Sequence, residues 1–269
     1  MNQYQSISDL KDHAKDKLTG NWGNAALVDL SYNTIIFAVT FITSFMISIT
    51  ISFITLFSSG NPLAMESYEL SFGTSAAVTV LQYILTLLCT IFGGVFHTGI
   101  ALFFLNLASG RTATIGNLFY GFQYLYKQSL TLSTVSALLQ FICLLPYYVF
   151  TFLFQETHAT SWGICMVVAM IIGMVIYVPI SLNISQSYFL LLDFPSYSAK
   201  EILQLSVRLM KGKKGKLFLI QLSFLPLMIL GMLSFGIGNL WVNPYMNMTL
   251  ALYFLDIMKP ASTTQMQNP

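Results

Sequence analysis

Of the 269 residues, 55% are hydrophobic and only 8% are charged, where ordinary soluble domains carry roughly 25% charged residues. With a mean hydropathy of +0.70, this composition excludes a water-soluble globular enzyme and points to a membrane protein. A net charge of +2, with the basic residues shared among several segments, also argues against a nucleic-acid partner.

The first predicted element is a short amphipathic helix over 6–20, SISDLKDHAKDKLTG. The interval 30–65 then lacks Asp, Glu, Lys and Arg. It holds a first span over 30–57, because SSGNPLAMESYE supplies the Gly, Pro and carboxylates of a loop. A second span over 76–108 fits the charge-free interval 70–110. After it, TIGNLFYGFQYLYKQ at 114–128 reads as a second, fainter amphipathic segment. Spans three and four follow at 130–154 and 163–192, inside the charge-free intervals 128–155 and 157–192. Each such interval is long enough for the roughly 20 residues that a spanning helix needs.

The segment 198–212, SAKEILQLSVRLMKG, opens with a Ser-x-x-Glu capping box and closes with Gly. Ile202, Leu205, Leu209 and Met210 recur there at helical spacing, with Lys200, Glu201, Gln204, Arg208 and Lys211 mostly on the other face. The last charge-free interval, 217–255, is long enough for two spans, 217–235 and 239–258, joined by the Gly-rich turn SFGIGN. Residues 260–269 are expected to form a disordered tail. The predicted fold is therefore an all-α polytopic membrane protein, a single domain over 1–259 with six transmembrane helices. No secretory signal peptide is expected in the polar residues 1–29, so the first span acts as an uncleaved anchor.

The three amphipathic segments share a frame. Leu10 answers Ile202, Ala14 answers Ser206, Leu18 answers Met210, Gly20 answers Gly212 and Gly23 answers Gly215. In the segment 114–128, Leu118 and Lys127 keep their places while Gln128 replaces the terminal Gly. Three repeats, each an interfacial helix followed by a membrane hairpin, account for this pattern; convergence of linkers entering a membrane is the alternative. Such helices lie among lipid headgroups, with Lys15, Arg208, Lys211, Lys213, Lys214 and Lys216 expected against the anionic inner leaflet. Each lysine near that surface contributes roughly 1 kcal/mol.

Charge also gives an orientation. All twelve Lys and Arg fall in the N-terminal segment, the loops after spans two and four, or the C-terminal segment, while the other loops hold Glu66, Glu69 and Glu156. The positive-inside rule then puts both termini in the cytoplasm.

Site chemistry is sparse. No HExxH, GxSxG or paired-carboxylate motif is present, and KGKKGK lacks the spacing of a phosphate-binding loop, so no enzymatic activity, metal or cofactor is expected. Cys89, Cys143 and Cys165 lie inside predicted spans at wide spacing, which suits small core residues better than a disulfide or metal site. His97 is an ionisable residue inside a span, on one stripe with Gly93 and Ala101. Either it hydrogen-bonds across a close helix contact or it belongs to a ligand or proton site. Pro179, Asn183 and Gln186 mark the fourth span as kinked and locally polar. Asn239, Asn243 and Asn247 recur every four residues on the last span, a polar stripe expected to point into the bundle. Asp29, Asp193 and Asp256 sit at predicted cytoplasmic span ends, where Lys or Arg partners are expected.

LKDHAKDKLTGNWGNA near the start, SYFLLLDFPSYSAKEILQLSVRLMKGKKGKLFLIQLSF and GIGNLWVNPYMNMTLALYF resemble a family of Gram-positive bacterial multi-spanning membrane proteins catalogued only as a domain of unknown function. The resemblance is strongest in the first 25 residues and over 187–254. Gly20, Trp22 and Gly23, the run 209–212, and Trp241, Pro244 and Tyr245 carry the family's recurrent marks. LSFLPLMIL departs from them, because a Gly-Trp pair is expected after the Phe. The resemblance implies a helical membrane fold and a bacterial plasma-membrane location, and no activity.

Two functions compete on these grounds. One is a binding or transport-related protein that handles a lipid, a peptide or a small solute through His97, Asn183, Gln186 and the Asn stripe. The other is a structural or accessory protein that organises anionic lipid or docks another membrane protein, with an effect on susceptibility to membrane-active peptides compatible with either.

Overall fold

The computed structural model describes residues 5–59 and 72–259. Among them the chain is all-helical, with no strand. In order, the helices are α1 (Ile7–Leu18), α2 (Trp22–Ser59), α3 (Phe72–Ala108), α4 (Tyr120–Gln123), α5 (Tyr126–Cys143) and α6 (Leu145–Thr157). They continue with α7 (Thr160–Ile184), α8 (Ser187–Asp193), α9 (Ala199–Leu209), α10 (Lys214–Leu222), α11 (Leu225–Leu233) and α12 (Asn239–Met258). Four stretches are long and apolar enough to cross a membrane: Trp22–Ile54, Ser75–Ala108, Thr160–Asp193 and Lys214–Leu233. The pair Tyr126–Cys143 and Leu145–Thr157, bent by 55° at its break, makes a fifth if it counts as one span. The predicted loop after α2, with Glu66 and Glu69, and the tail 260–269 lie outside the described residues.

Several expected spans are broken. The third breaks just ahead of Pro146, which lies in the first turn of α6, and 217–235 divides just ahead of Pro226, in the first turn of α11. Proline has no N–H for the preceding turn and suits the first turn of a new helix, so each break falls just ahead of one. The fourth ends its long helix at Ile184 and restarts as α8 at Ser187.

The chain forms two compact units. One comprises 33–93 and 133–180. Here α2 presents exposed apolar side chains, including a stacked run of Phe37, Phe41 and Phe45. Its hydroxyls donate to carbonyls one turn back, as from Thr40 to Ile36, Thr43 to Val39 and Thr50 to Met46. That back-bonding satisfies these hydroxyls within the helix itself. The Tyr83 hydroxyl donates to the Tyr148 carbonyl at 3.2 Å, and Gly173 lets α7 approach the Cys143 carbonyl. Cys89, Cys143 and Cys165 are free thiols and half-buried.

The second unit comprises 1–32, 94–132 and 181–269. Its core is built around Phe103, Phe104, Leu118, Leu190, Phe224 and Tyr253, all almost fully buried. Helix α1 lays Leu10, Ala14 and Leu18 against α12, each completely buried. The face predicted to enter lipid is thus covered by protein. Helix α9 buries Ile202 and Ser206 in the same frame, and the Ser206 hydroxyl donates to the Asn183 carbonyl at 2.8 Å. The N-caps match as well: Ser6 with Asp9 and Ser198 with Glu201 form complete capping boxes. Gly20 and Gly212 turn the chain out of their helices at φ of 81° and 77°, a conformation glycine adopts without steric cost.

The segment 114–128 differs from the expected single helix. It forms a 3-10 turn (Ile115–Phe119), then α4, then the start of α5. Thr114 keeps the cap, its N–H donating to Asn117 Oδ1 at 3.1 Å. Beyond that, Gly116 and Gly121 weaken a helix. Main-chain contacts of Leu118 with Gly99, and of Gly121 with the Val95 carbonyl, bind the segment to α3.

Candidate functional site

The expected polar residues distribute over α3, α7, α8 and α12 of the second unit. The break between α7 and α8 places Ser185 and Tyr188 beside His97 of α3 and Asn247 of α12, around a cleft of about 210 Å³. Ile100, Ala101, Phe104, Phe189 and Leu250 form its apolar walls. His97 is exposed to this space. Its ring packs near Tyr32, at 5.5 Å between centroids, and near Tyr188, at 5.7 Å. Among the described residues neither the His97 ring nitrogens nor the Asn247 amide makes a hydrogen bond.

Ser185 is partly committed. Its hydroxyl donates to the Leu182 carbonyl at 2.9 Å and accepts from Gln186 Nε2 at 3.2 Å. With its only proton spent, it can offer the cleft one remaining acceptor position. Gln186 is 1% exposed, and its Oε1 and the neighbouring Ser187 hydroxyl have no hydrogen-bond partner among the described residues. Asn183 contributes its carbonyl to Ser206.

The Asn stripe on α12 fans out. Four residues turn a helix by 400°, so each step drifts about 40° around the axis. Asn239 packs on Gly231 of α11, and Asn243 Nδ2 donates to Asp29 Oδ2 at 3.2 Å. Only Asn247 reaches the cleft. The stripe is therefore three separate contacts, two structural and one lining the cleft.

Part of the lysine run is engaged within the protein. Asp256, 3% exposed, accepts from Lys216 Nζ at 3.2 Å and from the Gln5 N–H at 3.2 Å, and lies 3.9 Å from Lys259 Nζ. Lys213 Nζ donates to the Ile257 carbonyl at 3.2 Å, while the Tyr253 hydroxyl donates back to the Lys213 carbonyl at 2.9 Å. Lys15 pairs with Asp12 at 3.4 Å and stands 5.8 Å from the Tyr245 ring centre. Lys11 lies 4.3 Å over the Phe224 ring, and burial there pushes its ammonium below the usual lysine range. Lys211 and Arg208 stay exposed, and Lys214 is half-buried. This internal cluster escaped sequence reading because Gln5, Lys216 and Asp256 lie far apart in the chain. A basic partner for Asp256 was expected without being named, and Lys259, three residues on, lies 3.9 Å away.

Among the described residues no three His, Cys, Asp or Glu side chains gather as metal ligands. Among the described residues the cleft brings together the Ser185 and Tyr188 hydroxyls, the His97 imidazole and the Asn247 amide.

Together these features define a protein that is all-helical over the described residues, with several helices fit to cross a membrane and a cleft lined by hydroxyl, amide and imidazole groups. The chain belongs to the family described as "Protein of unknown function (DUF975)", whose model matches residues 1–261. No curated protein and no solved structure matches it.

Proposed function

We propose that this is a non-enzymatic, six-span protein of a bacterial plasma membrane, with both termini cytoplasmic, that binds or helps to move a lipid, peptide or small solute in the cleft of His97 and Asn247. The observation that carries this reading is the convergence of two hydrogen-bonding side chains, without protein partners among the described residues, beside a broken helix. An unsatisfied polar group in hydrocarbon costs several kcal/mol, so polar side chains kept there have a use.

Depth supports the same reading. His97 and Asn247 each lie eleven residues before the ends of their helices, Ala108 and Met258. At 1.5 Å per residue that is roughly 16 Å, about half of a hydrocarbon core roughly 30 Å thick. Binding sites of transport proteins fall at that level, where interrupted helices meet. Helix α12 supplies the sixth span on this reading, its apolarity diluted by Asn239, Asn243, Asn247 and Pro244.

The lipid-organising alternative draws on Lys127, Lys200, Arg208 and Lys211, which remain exposed. It is weakened where Lys213 and Lys216 are spent within the protein. The test is complementation of a deletion strain. His97→Ala with Asn247→Leu should reach normal membrane levels and fail to restore the wild-type phenotype; full restoration would sink the proposal.

A further inference from the structure

Resting on the reading of the cleft as a binding site, we infer that its ligand is a glycerolipid with an uncharged, hydroxyl-bearing head, of the diacylglycerol type. Its chemistry follows from what surrounds it. Among the described residues no Lys, Arg, Asp or Glu lines the cleft, so a phosphate or ammonium head would enter a low-dielectric space without a counter-charge, a strongly unfavourable transfer.

The polar groups that are present suit a hydroxyl. Ser185 can only accept, because its proton is held by the Leu182 carbonyl. Asn247 offers both a carbonyl and an amide, and an imidazole such as His97, in its neutral form, offers one donor and one acceptor. A hydroxyl donates once and accepts as well, so it can satisfy Ser185 or His97 as donor and Asn247 as acceptor at once.

Size and surroundings favour a lipid over a free polyol. About 210 Å³ lies below the roughly 300–1,000 Å³ of sites that enclose a drug-sized ligand. The cleft therefore takes a head and the first methylenes, with the remaining chain outside in hydrocarbon. Ile100, Phe104, Phe189 and Leu250 supply the apolar walls that those methylenes need, and a water-soluble polyol would gain nothing from them.

The experiment uses the full chain in phosphatidylcholine nanodiscs, with photoactivatable diacylglycerol in one arm and photoactivatable phosphatidylglycerol in the other, and peptide mapping of the labelled sites. Diacylglycerol should label segments 97–104, 185–189 or 247–250, with free glycerol failing to compete. Each lost hydrogen bond should weaken that labelling about fivefold. His97→Phe and Asn247→Leu are the variants that remove one bond each, and His97→Gln should retain most of the labelling. Thermal unfolding of each variant separates lost binding from lost folding. Equal or stronger labelling of the cleft by phosphatidylglycerol overturns the uncharged-head inference and leaves the cleft a binding site. Competition by free glycerol overturns the lipid assignment in the same way. Diacylglycerol labelling only elsewhere also overturns it, and joined to full complementation by His97→Ala with Asn247→Leu it removes the binding reading itself.

Discussion

Asp256 is nearly inaccessible, yet it holds two distant parts of the chain, Gln5 before α1 and Lys216 in α10, and lies beside Lys259 just after α12. Its substitution leaves the half-buried Lys216 ammonium without its carboxylate, and breaking a buried pair from one side costs more than the pair contributes. Asp256→Ala should lower stability by about 2–4 kcal/mol, toward the lower side of the range for fully buried pairs because Lys216 retains some solvent. Denaturant unfolding of the detergent-solubilised chain reads this out. Asp256→Leu with Lys216→Met should recover most of the loss, and a double variant as weak as the single one would show that the charges themselves are not the cause. Sequence reasoning anticipated a basic partner for Asp256 and named none. The KGKKGK run was legible as a basic elbow before an apolar helix, but charge count alone cannot tell a lysine that meets lipid from one that meets a carboxylate forty residues on.

Helix ends were the most readable elements, because a cap is a local contract between residues three apart. Ser198 and Glu201 make the expected box, and the Ser198 N–H, donating to the Glu201 carboxylate at 2.8 Å, holds that carboxyl below the usual carboxylate range. A depressed carboxyl stabilises fully above its unfolded pKa and loses that contribution as pH falls through its lower folded value. Hydrogen exchange in the first turn of α9 should therefore accelerate only at strongly acidic pH, and Glu201→Gln, which keeps an acceptor without a charge, should flatten that dependence. Close crossings were legible only in part. The expected small-residue stripe ran through Gly93, His97 and Ala101, whereas backbone passes against Gly99 and Gly121. A methyl at Gly99 meets the carbonyl oxygens of Leu118 and Asn117, and one at Gly231 meets the Asn239 side chain. Overpacking costs about 1–3 kcal/mol. Gly99→Ala should fall at or above the upper end, since backbone cannot step aside, and Gly231→Ala lower, since Asn239 can rotate. Thermal melts that reverse this order would refute the assignment of backbone contact at Gly99. The helix over 114–128 failed for a related reason: its glycines serve contact with α3, and a pattern of apolar spacing does not register that demand.

For the whole molecule, hydropathy identified where helices run and missed where they break, because a window of apolar residues stays apolar across a bend. Pro146 and Pro226 mark two of those breaks, while the one at Ser185 and Gln186 has no proline at the joint and is the one that lines the cleft. His97 and Asn247 were visible singly as polar residues in apolar helices; their meeting depends on packing among α3, α8 and α12 that no local pattern encodes. Orientation rests on a different kind of signal, the distribution of charge between loops. An Arg or Lys held on one side of a membrane resists transfer, whereas Glu contributes little to the choice. With Arg111, Lys127, Lys200 and the run 211–216 all in segments assigned to one side, and Glu156 in a segment assigned to the other, the proposed six-span topology makes a sharp demand. A reporter that is active only in the periplasm or outside the cell should work when fused after Glu156 and fail when fused after Lys127 or Lys211. Because those positions are separated by single spans or pairs of spans, a five-span chain without α12 would leave these three outcomes intact and invert only a fusion after Met258. Activity of the outside reporter at Met258 would therefore remove α12 as a span, and activity at Lys127 would overturn the orientation of the entire chain.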